Sequence, residues 1–279
     1  MSPSPFLFSV DVEDPHLDAA GRGSSPPRVP ALVEAYLSLL RSHGGSGTFF
    51  FVGRVARRHP ELVARVIAEG HEAGCHSDAH IPLDRQDAAT FRDDVRRNRD
   101  AVRTAGAREV NGYRAPCFSM TERTAHCYAI LAELGFSYSS SVLPARRPLC
   151  GWPGFGKQPK LVDGILEMPV TLLPSRLFPV PLGGGYFRLL PRPLLRRALV
   201  RLQRQGQPVL SYCHPYDIDP TDGRTHPAFA RWSAKGVALR TNRAAVLPRL
   251  EAAARLGFRF EAYGPHAAAV RSALALDGG

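Results

Sequence analysis

Short apolar runs alternate with amphipathic helical segments along most of this chain, and that order constrains its fold more than any other feature. The apolar runs at residues 6–11 and 47–53 predict strands. The segments at 32–45 and 60–70 space their apolar residues along one helical face and end in glycine. Strands that are each followed by a helix are typical of a parallel sheet or barrel, so we expect an α/β fold.

The same order continues to the end of the sequence. Further strands are predicted at 71–76, 109–114, 136–141, 165–170 and 208–214, and further helices at 88–106, 122–135 and 193–205. The only linker candidate is a Gly/Ser/Pro patch at 21–30. We therefore predict one domain over 1–279, with its chemical motifs within 6–220 and a closing helix and strand within 243–263.

Four predicted strands end in residues that can bind a metal or move a proton. Asp11 ends the first strand, His76 the third and Arg114 the fourth, and His214 ends the strand at 208–214. Barrels of this kind carry their chemistry at the carboxyl ends of the strands. The sequence therefore predicts that these four residues meet at one rim.

The segment EAGCHSDAHIPL places His76 and His80 four positions apart. Imidazoles at this spacing can face the same side of a helical turn and bind one metal ion. A third ligand could come from the acidic DVED segment at 11–14. Alone, each motif is more typical of surface histidines or of a solvated acidic turn, so the hypothesis depends on their joint placement.

A hydrolytic site of this kind also needs a base and an acid. A second rim carboxylate could be the base, and His214 is the natural acid because an imidazole titrates near neutral pH. Arg114 could orient the base through a two-pronged hydrogen bond.

Several ordered motifs resemble the polysaccharide deacetylases of carbohydrate esterase family 4. They are FSVDVED, HSDAH, YRAPCFS and LSYCHP, and the stretches GGGYFRLLP and YCHPYDIDP resemble the exosortase-associated branch of that family. The resemblance implies a distorted (β/α)7-type barrel and a NodB-like, metal-dependent hydrolase. Such an enzyme removes N-acetyl groups from an amino-sugar glycan, here in exopolysaccharide biosynthesis.

The resemblance also implies roles for individual residues. Asp11 would be the general base, Arg114 would orient it, and His214 would protonate the departing amine. The backbone N–H of Cys117 would help to bind the oxyanion.

His76 and His80 would bind the metal, for which zinc is the first choice and cobalt, nickel or iron are alternatives. The family's second aspartate usually follows the first directly, but Val12 occupies that position here. The third ligand is then Glu13, which shares strand parity with Asp11, or Asp14, which a shorter strand would free.

The chain departs from the family pattern at Ser139 as well. Related sequences tend to carry an aspartate there that tunes the late histidine, and a serine cannot supply that charge. Glu167 or Asp217 could substitute for it.

The net charge is +11, and arginine supplies most of the cations. Such a charge attracts anionic partners, but no interleaved aromatic motif points to nucleic acid. The helix predicted at 193–205 is basic and amphipathic, which is typical of a membrane-surface helix or of a barrel helix with a solvated basic face. With no export signal found, we expect a cytoplasmic protein. If the helix at 193–205 is a membrane-surface helix, the protein would contact the anionic inner membrane face and act on a lipid-linked glycan precursor.

Two other functions fit the same residues. One is a metal-free amidase on the same barrel that hydrolyses a small cyclic ureide or imide. The other is a glycan-binding subunit without catalysis, for which Ser139 is the supporting feature. The sequence leaves the oligomeric state open.

Overall fold

The computed structural model describes residues 4–17, 28–146, 150–174, 179–220 and 241–277. The strands are β1 (Ser4–Leu7), β2 (Ser9–Val12), β3 (Thr48–Phe51), β4 (Glu72–Cys75), β5 (Gly112–Tyr113), β6 (Tyr138–Ser139), β7 (Lys160–Val162), β8 (Ile165–Glu167), β9 (Val209–Leu210) and β10 (Phe258–Glu261). The helices are α1 (Val29–Ser42), α2 (Gly53–Arg58), α3 (Pro60–Ala68), α4 (Ala88–Thr104), α5 (Cys127–Glu133), α6 (Gly184–Leu189), α7 (Arg192–Arg204), α8 (Val246–Arg255) and α9 (Tyr263–Asp277).

The strands form a barrel wall in two hydrogen-bonded stretches, ordered β10-β1-β9 and β2-β3-β4-β5-β6-β8-β7. The first predicted strand is split into β1 and β2, and a parallel bridge between Val10 and Cys213 joins the two stretches. On the far side, the backbone N–H of Thr171 donates to Leu210 O at 3.0 Å. All pairings between the described strands are parallel except that of β7 with β8. The predicted distorted α/β barrel is confirmed.

The helices cover the outside of this wall with the apolar faces that the sequence predicted. In α4, for example, Phe91, Val95 and Val102 are buried although the helix is rich in charge. The largest hydrophobic cluster includes residues from Phe6 to Phe260, so both ends of the described chain contribute to it. None of the described helices has the length and the apolar character needed to cross a bilayer.

The structure contains elements that the sequence did not predict. One is α6 in the segment GGGYFRLLP, where a Cβ on Gly183 would lie 2.4 Å from the Tyr212 ring. Glycine is required there because the backbone packs directly on an aromatic side chain. Others are α2, β7 and α9, of which α9 follows the closing helix and strand predicted within 243–263 and observed as α8 and β10.

Glu167 at the end of β8 is a fully buried carboxylate that holds the loop after β6. One of its oxygens accepts the backbone N–H groups of Ser141 and Val142, each at 2.8 Å, and the other accepts the Tyr128 hydroxyl at 3.0 Å. Burial raises the pKa of Glu167. Its role in the barrel wall is therefore to satisfy buried donors.

Replacement of Glu167 separates this acceptor role from its charge. We expect Glu167→Leu to lower the free energy of unfolding by about 3 kcal/mol, because two buried N–H groups lose their partner. Glu167→Gln keeps an acceptor for both groups and should cost less than about 1 kcal/mol. Urea unfolding of both variants measures the difference, and equal losses would contradict this role.

Candidate active site

The structure places five of the predicted site residues at one rim of the barrel, each at or just after the end of a strand. Asp11 lies in β2 and Glu13 directly follows that strand, while His76 directly follows β4. Arg114 directly follows β5, and His214 follows the bridge at Cys213. Because parallel strands end at the same edge, residues distant in sequence meet there.

Two imidazoles and one carboxylate could bind a metal ion at this rim. Candidate ligand atoms of Glu13, His76 and His80 all lie within 4.8 Å of one another, and no other such group occurs in the described ranges. His80 Nε2 lies 2.6 Å from Glu13 Oε2, and the two imidazole centroids are 5.0 Å apart. Two nitrogens and one oxygen leave a tetrahedral ion an open position for water.

The sequence predicts that His76 and His80 share a helical turn, but in the structure they do not. They lie in a loop in which Ser77 and His80 adopt left-handed backbone conformations, with φ of 64° and 58°. The buried carboxylate of Asp94 on α4 holds this loop by accepting the N–H groups of Asp78 at 2.9 Å and Ala79 at 3.2 Å. The two rings converge through this irregular backbone and not through helical periodicity.

The protonation state of His76 suits a metal ligand. Its Nδ1 lies 2.8 Å from the carbonyl oxygen of Arg114, which can only accept, so Nδ1 carries the proton and Nε2 keeps its lone pair. Burial lowers the pKa of His76 to about 4. The ring is therefore neutral at physiological pH.

Glu13 and Asp14 occupy different surroundings. Burial opposes the charge on Glu13, but the imidazoles of His80, His214 and His76 hold its pKa well below its usual range. Asp14 instead accepts the backbone N–H of His16 at 2.9 Å and is not in the metal-binding group. The geometry favours Glu13 over Asp14.

Asp11 is buried beside the metal-binding group and is held by Arg114. Arg114 Nη1 donates to Asp11 Oδ1 at 3.0 Å and to Ser9 Oγ at 2.8 Å. The other carboxylate oxygen of Asp11 lies 4.0 Å from Nε2 of both His76 and His214. The predicted two-pronged contact is wrong, because Nε and Nη2 of Arg114 donate to Ser140.

His214 is held from the side opposite to the metal-binding group. Its Nδ1 lies 2.8 Å from Asp217 Oδ2, and the buried Arg188 donates to Asp217 Oδ1 at 3.0 Å. Burial disfavours the imidazolium, but the carboxylates of Asp217, Glu13 and Asp11 together outweigh it and raise the pKa of His214 to about 9. His214 can therefore hold a proton at neutral pH.

Two carboxylates could replace the family aspartate that is absent at Ser139. Asp217 lies against His214, while Glu167 bonds to backbone groups elsewhere. Ser139 itself donates to Ser141 Oγ at 2.7 Å. Cys117 is exposed and left-handed, with φ of 56°, and its role at the oxyanion stays a prediction.

Besides Asp94, sequence reasoning missed three groups that shape the site. Tyr216 donates to Glu13 Oε1 at 2.9 Å and stacks on His214 at 4.7 Å. Ser9 and Arg188 also escaped notice, although each lies inside a motif that was singled out. Nothing in a single sequence shows that these side chains turn toward the rim.

The chain is similar in sequence to two family models. Residues 23–139 match the family model "Polysaccharide deacetylase", and residues 140–264 match "Domain of unknown function (DUF3473)". The boundary between the two ranges directly follows β6 and lies inside the barrel wall. Neither match spans the whole chain, and a single domain over 1–279 stays a prediction. Asp11 and Glu13 lie before both matched ranges.

Curated relatives match over short segments. A chitooligosaccharide deacetylase from Bradyrhizobium sp. is 38% identical over 76 residues, which are 27% of this chain and 35% of that protein. A peptidoglycan-N-acetylglucosamine deacetylase from Bacillus cereus is 40% identical over 52 residues, or 19% of this chain and 24% of that protein. The matches thus span about a third or less of these relatives.

Solved structures match over nearly the whole chain at low identity, which shows the fold. A Mycobacterium smegmatis protein assigned to the polysaccharide deacetylases has a TM-score of 0.64 at 22% identity and covers 98% of this chain and 94% of its own. A family 4 carbohydrate esterase from Streptomyces lividans has a TM-score of 0.54 at 15% identity, with 93% of each chain covered. Residues 23–139 are therefore similar to the polysaccharide deacetylases and residues 140–264 to DUF3473, and the chain has the fold of a family 4 carbohydrate esterase.

Proposed function

We propose that this chain is a metal-dependent hydrolase that removes N-acetyl groups from an amino-sugar glycan. The observation that carries the proposal is the convergence of Glu13, His76 and His80 beside the buried carboxylate of Asp11. The residues fit a divalent cation, because a neutral imidazole, a second imidazole and an ionised carboxylate are the donors such a hydrolytic site uses. Zinc is our first choice, and cobalt, nickel or iron suit the same donors.

When bound, a divalent cation supplies Lewis acidity toward the acetyl carbonyl and acidifies water at the site. Asp11 then accepts the proton of the attacking water. Arg114 fixes the orientation of that carboxylate. A C–O bond forms to the acetyl carbon, and the backbone N–H of Cys117 helps to stabilise the oxyanion.

His214 donates a proton to the amide nitrogen as the C–N bond breaks, so that acetate and a free amine leave. Asp217 and Arg188 act on this step as positioning residues, because they hold the proton on His214 and do not reach the substrate. The arrangement separates a base on one side of the reacting carbon from an acid on the other.

The substrate proposal rests on the relatives, whose printed names include chitooligosaccharide and peptidoglycan-N-acetylglucosamine deacetylases. We propose a lipid-linked glycan precursor at the cytoplasmic membrane face, because α7 is basic on its exposed side and carries the exposed Leu194. Flotation with anionic liposomes at low salt tests the membrane contact, and no binding would remove it.

His76→Ala should abolish both metal retention and acetate release, because it removes a neutral imidazole ligand. The measurements are elemental analysis of the purified protein and acetate release from a panel of acetylated glycans, with and without chelator. His126→Ala, which changes an exposed imidazole on the same chain, is the control. Full activity of His76→Ala would refute the metal site. Hydrolysis of a small cyclic ureide or imide by the metal-free protein would favour the metal-free amidase.

The third ligand is tested by a matched pair of adjacent alanine substitutions. Glu13→Ala should lower metal affinity by more than about 100-fold, the upper range for groups that only support a ligand. Asp14→Ala should leave metal affinity unchanged, since Asp14 bonds to the backbone of His16. A competitive chelator titration measures both affinities, and the reverse order would assign the ligand to Asp14.

Asp217→Asn should lower kcat by about 10²- to 10⁴-fold, the range expected for general acid catalysis, while metal affinity stays the same. The amide cannot stabilise the imidazolium of His214 as a carboxylate does. Glu167→Gln removes the other candidate carboxylate and should keep kcat. Steady-state kinetics and metal titration of both variants decide, and an unchanged kcat in Asp217→Asn would exclude the positioning role.

A further inference from the structure

A groove outside the active site separates α7 from α8 and has a cavity volume of about 400 Å³. Its floor consists of aliphatic side chains, and no aromatic residue lines it. The floor is formed by Leu195, Leu199, Pro248, Ala252 and Leu256, and the rim by Arg192, Arg196, Arg249 and Arg255. An apolar cleft with a few polar groups in this size range is typical of a small-molecule site.

Arg249 is the unusual member of this groove. It is only 6% exposed, and one of its nitrogens donates to the carbonyl oxygen of Phe187. Its Nε is buried without a hydrogen-bond partner, and no carboxylate pairs with it among the described residues. Burial and the neighbouring Arg192 both lower the pKa of Arg249.

A buried guanidinium without a counter-ion is costly, because it stays charged and loses its hydration. Buried charges in proteins are usually paired for this reason. The other rim arginines increase the positive potential, since Arg192 and Arg196 form no ion pair within the described ranges. Among the residues that the structure describes, Arg255 is the one rim arginine with an acidic neighbour, the half-buried Glu251 at 3.6 Å. The groove therefore has an uncompensated positive charge above an apolar floor.

We propose that this groove binds an anionic lipid, with its phosphate at Arg249, Arg192 and Arg196. The beginning of its hydrocarbon chain lies on the aliphatic floor between Leu199 and Ala252. A free phosphate would leave that floor in contact with water, and single-stranded nucleic acid would find no aromatic ring to stack on. A phosphate attached to a hydrocarbon chain satisfies both parts of the groove.

The site is distinct from the catalytic rim, but one helix connects them. Arg249 holds the carbonyl of Phe187 in α6, and the next residue, Arg188, holds Asp217. A bound lipid would thus lie beside the helix that positions His214. This inference goes beyond the proposed hydrolysis and does not depend on it, because its readout is binding.

The test is calorimetric titration of the full chain with decyl phosphate below its critical micelle concentration. Decyl phosphate should bind, whereas inorganic phosphate and decyl maltoside should each bind at least about tenfold more weakly, since each supplies only half of the interaction. Equal binding of inorganic phosphate would overturn the lipid assignment in favour of a simple anion site. No binding of decyl phosphate would overturn the site itself.

Two exposed arginines of α7 provide a matched pair of variants. Arg196→Gln removes a rim charge and should weaken decyl phosphate binding about tenfold, while Arg204→Gln makes the same change on the same helix outside the groove and should not. Equal weakening by both would show general surface charge and overturn the proposal. Ala252→Phe fills the floor and should also weaken binding, with thermal unfolding to confirm that it folds.

Discussion

The site depends on one buried cation, Arg114. Its side chain holds Asp11, and its backbone carbonyl fixes the tautomer of His76, so a single residue sets both the proposed base and a proposed metal ligand. Its guanidinium carbon lies 4.5 Å from the Phe50 ring centroid and 5.3 Å from that of Tyr263. These rings exclude water, and in such surroundings the pairing of Arg114 with Asp11 is strong and any unpaired charge is costly. The rest of the rim is organised around that pair.

The chemistry is divided between parts of the chain that lie far apart in sequence. The end of β2 and the residue after it supply the carboxylates of Asp11 and Glu13. The region matched as polysaccharide deacetylase supplies both proposed imidazole ligands and Arg114, and DUF3473 supplies His214 with Asp217 and Arg188. The barrel brings them together because its parallel strands end at one edge. The region of unknown function therefore contributes the proposed acid of the reaction, and it also forms the groove between α7 and α8.

Much of the rim could be predicted from the sequence, because the last residues of parallel strands lie at the same edge of a barrel. Asp11, His76, Arg114 and His214 were identified in that way, and the helical faces followed from apolar periodicity. Other features depend on contacts that no local pattern encodes. The left-handed loop at His80 is held by Asp94 from another element, and α6 begins with glycines that the sequence suggests are a loop but that pack on an aromatic ring. The motifs FSVDVED and GGGYFRLLP contain Ser9 and Arg188, but the sequence does not show that these two side chains turn toward the rim.

The most direct test of the account is anomalous diffraction from crystals grown with zinc, recorded at the zinc absorption edge. The account predicts one strong peak about 2.0–2.2 Å from Nε2 of His76, Nε2 of His80 and a carboxylate oxygen of Glu13. A map with no peak among these three residues, or with the metal bound elsewhere on the chain, would contradict it.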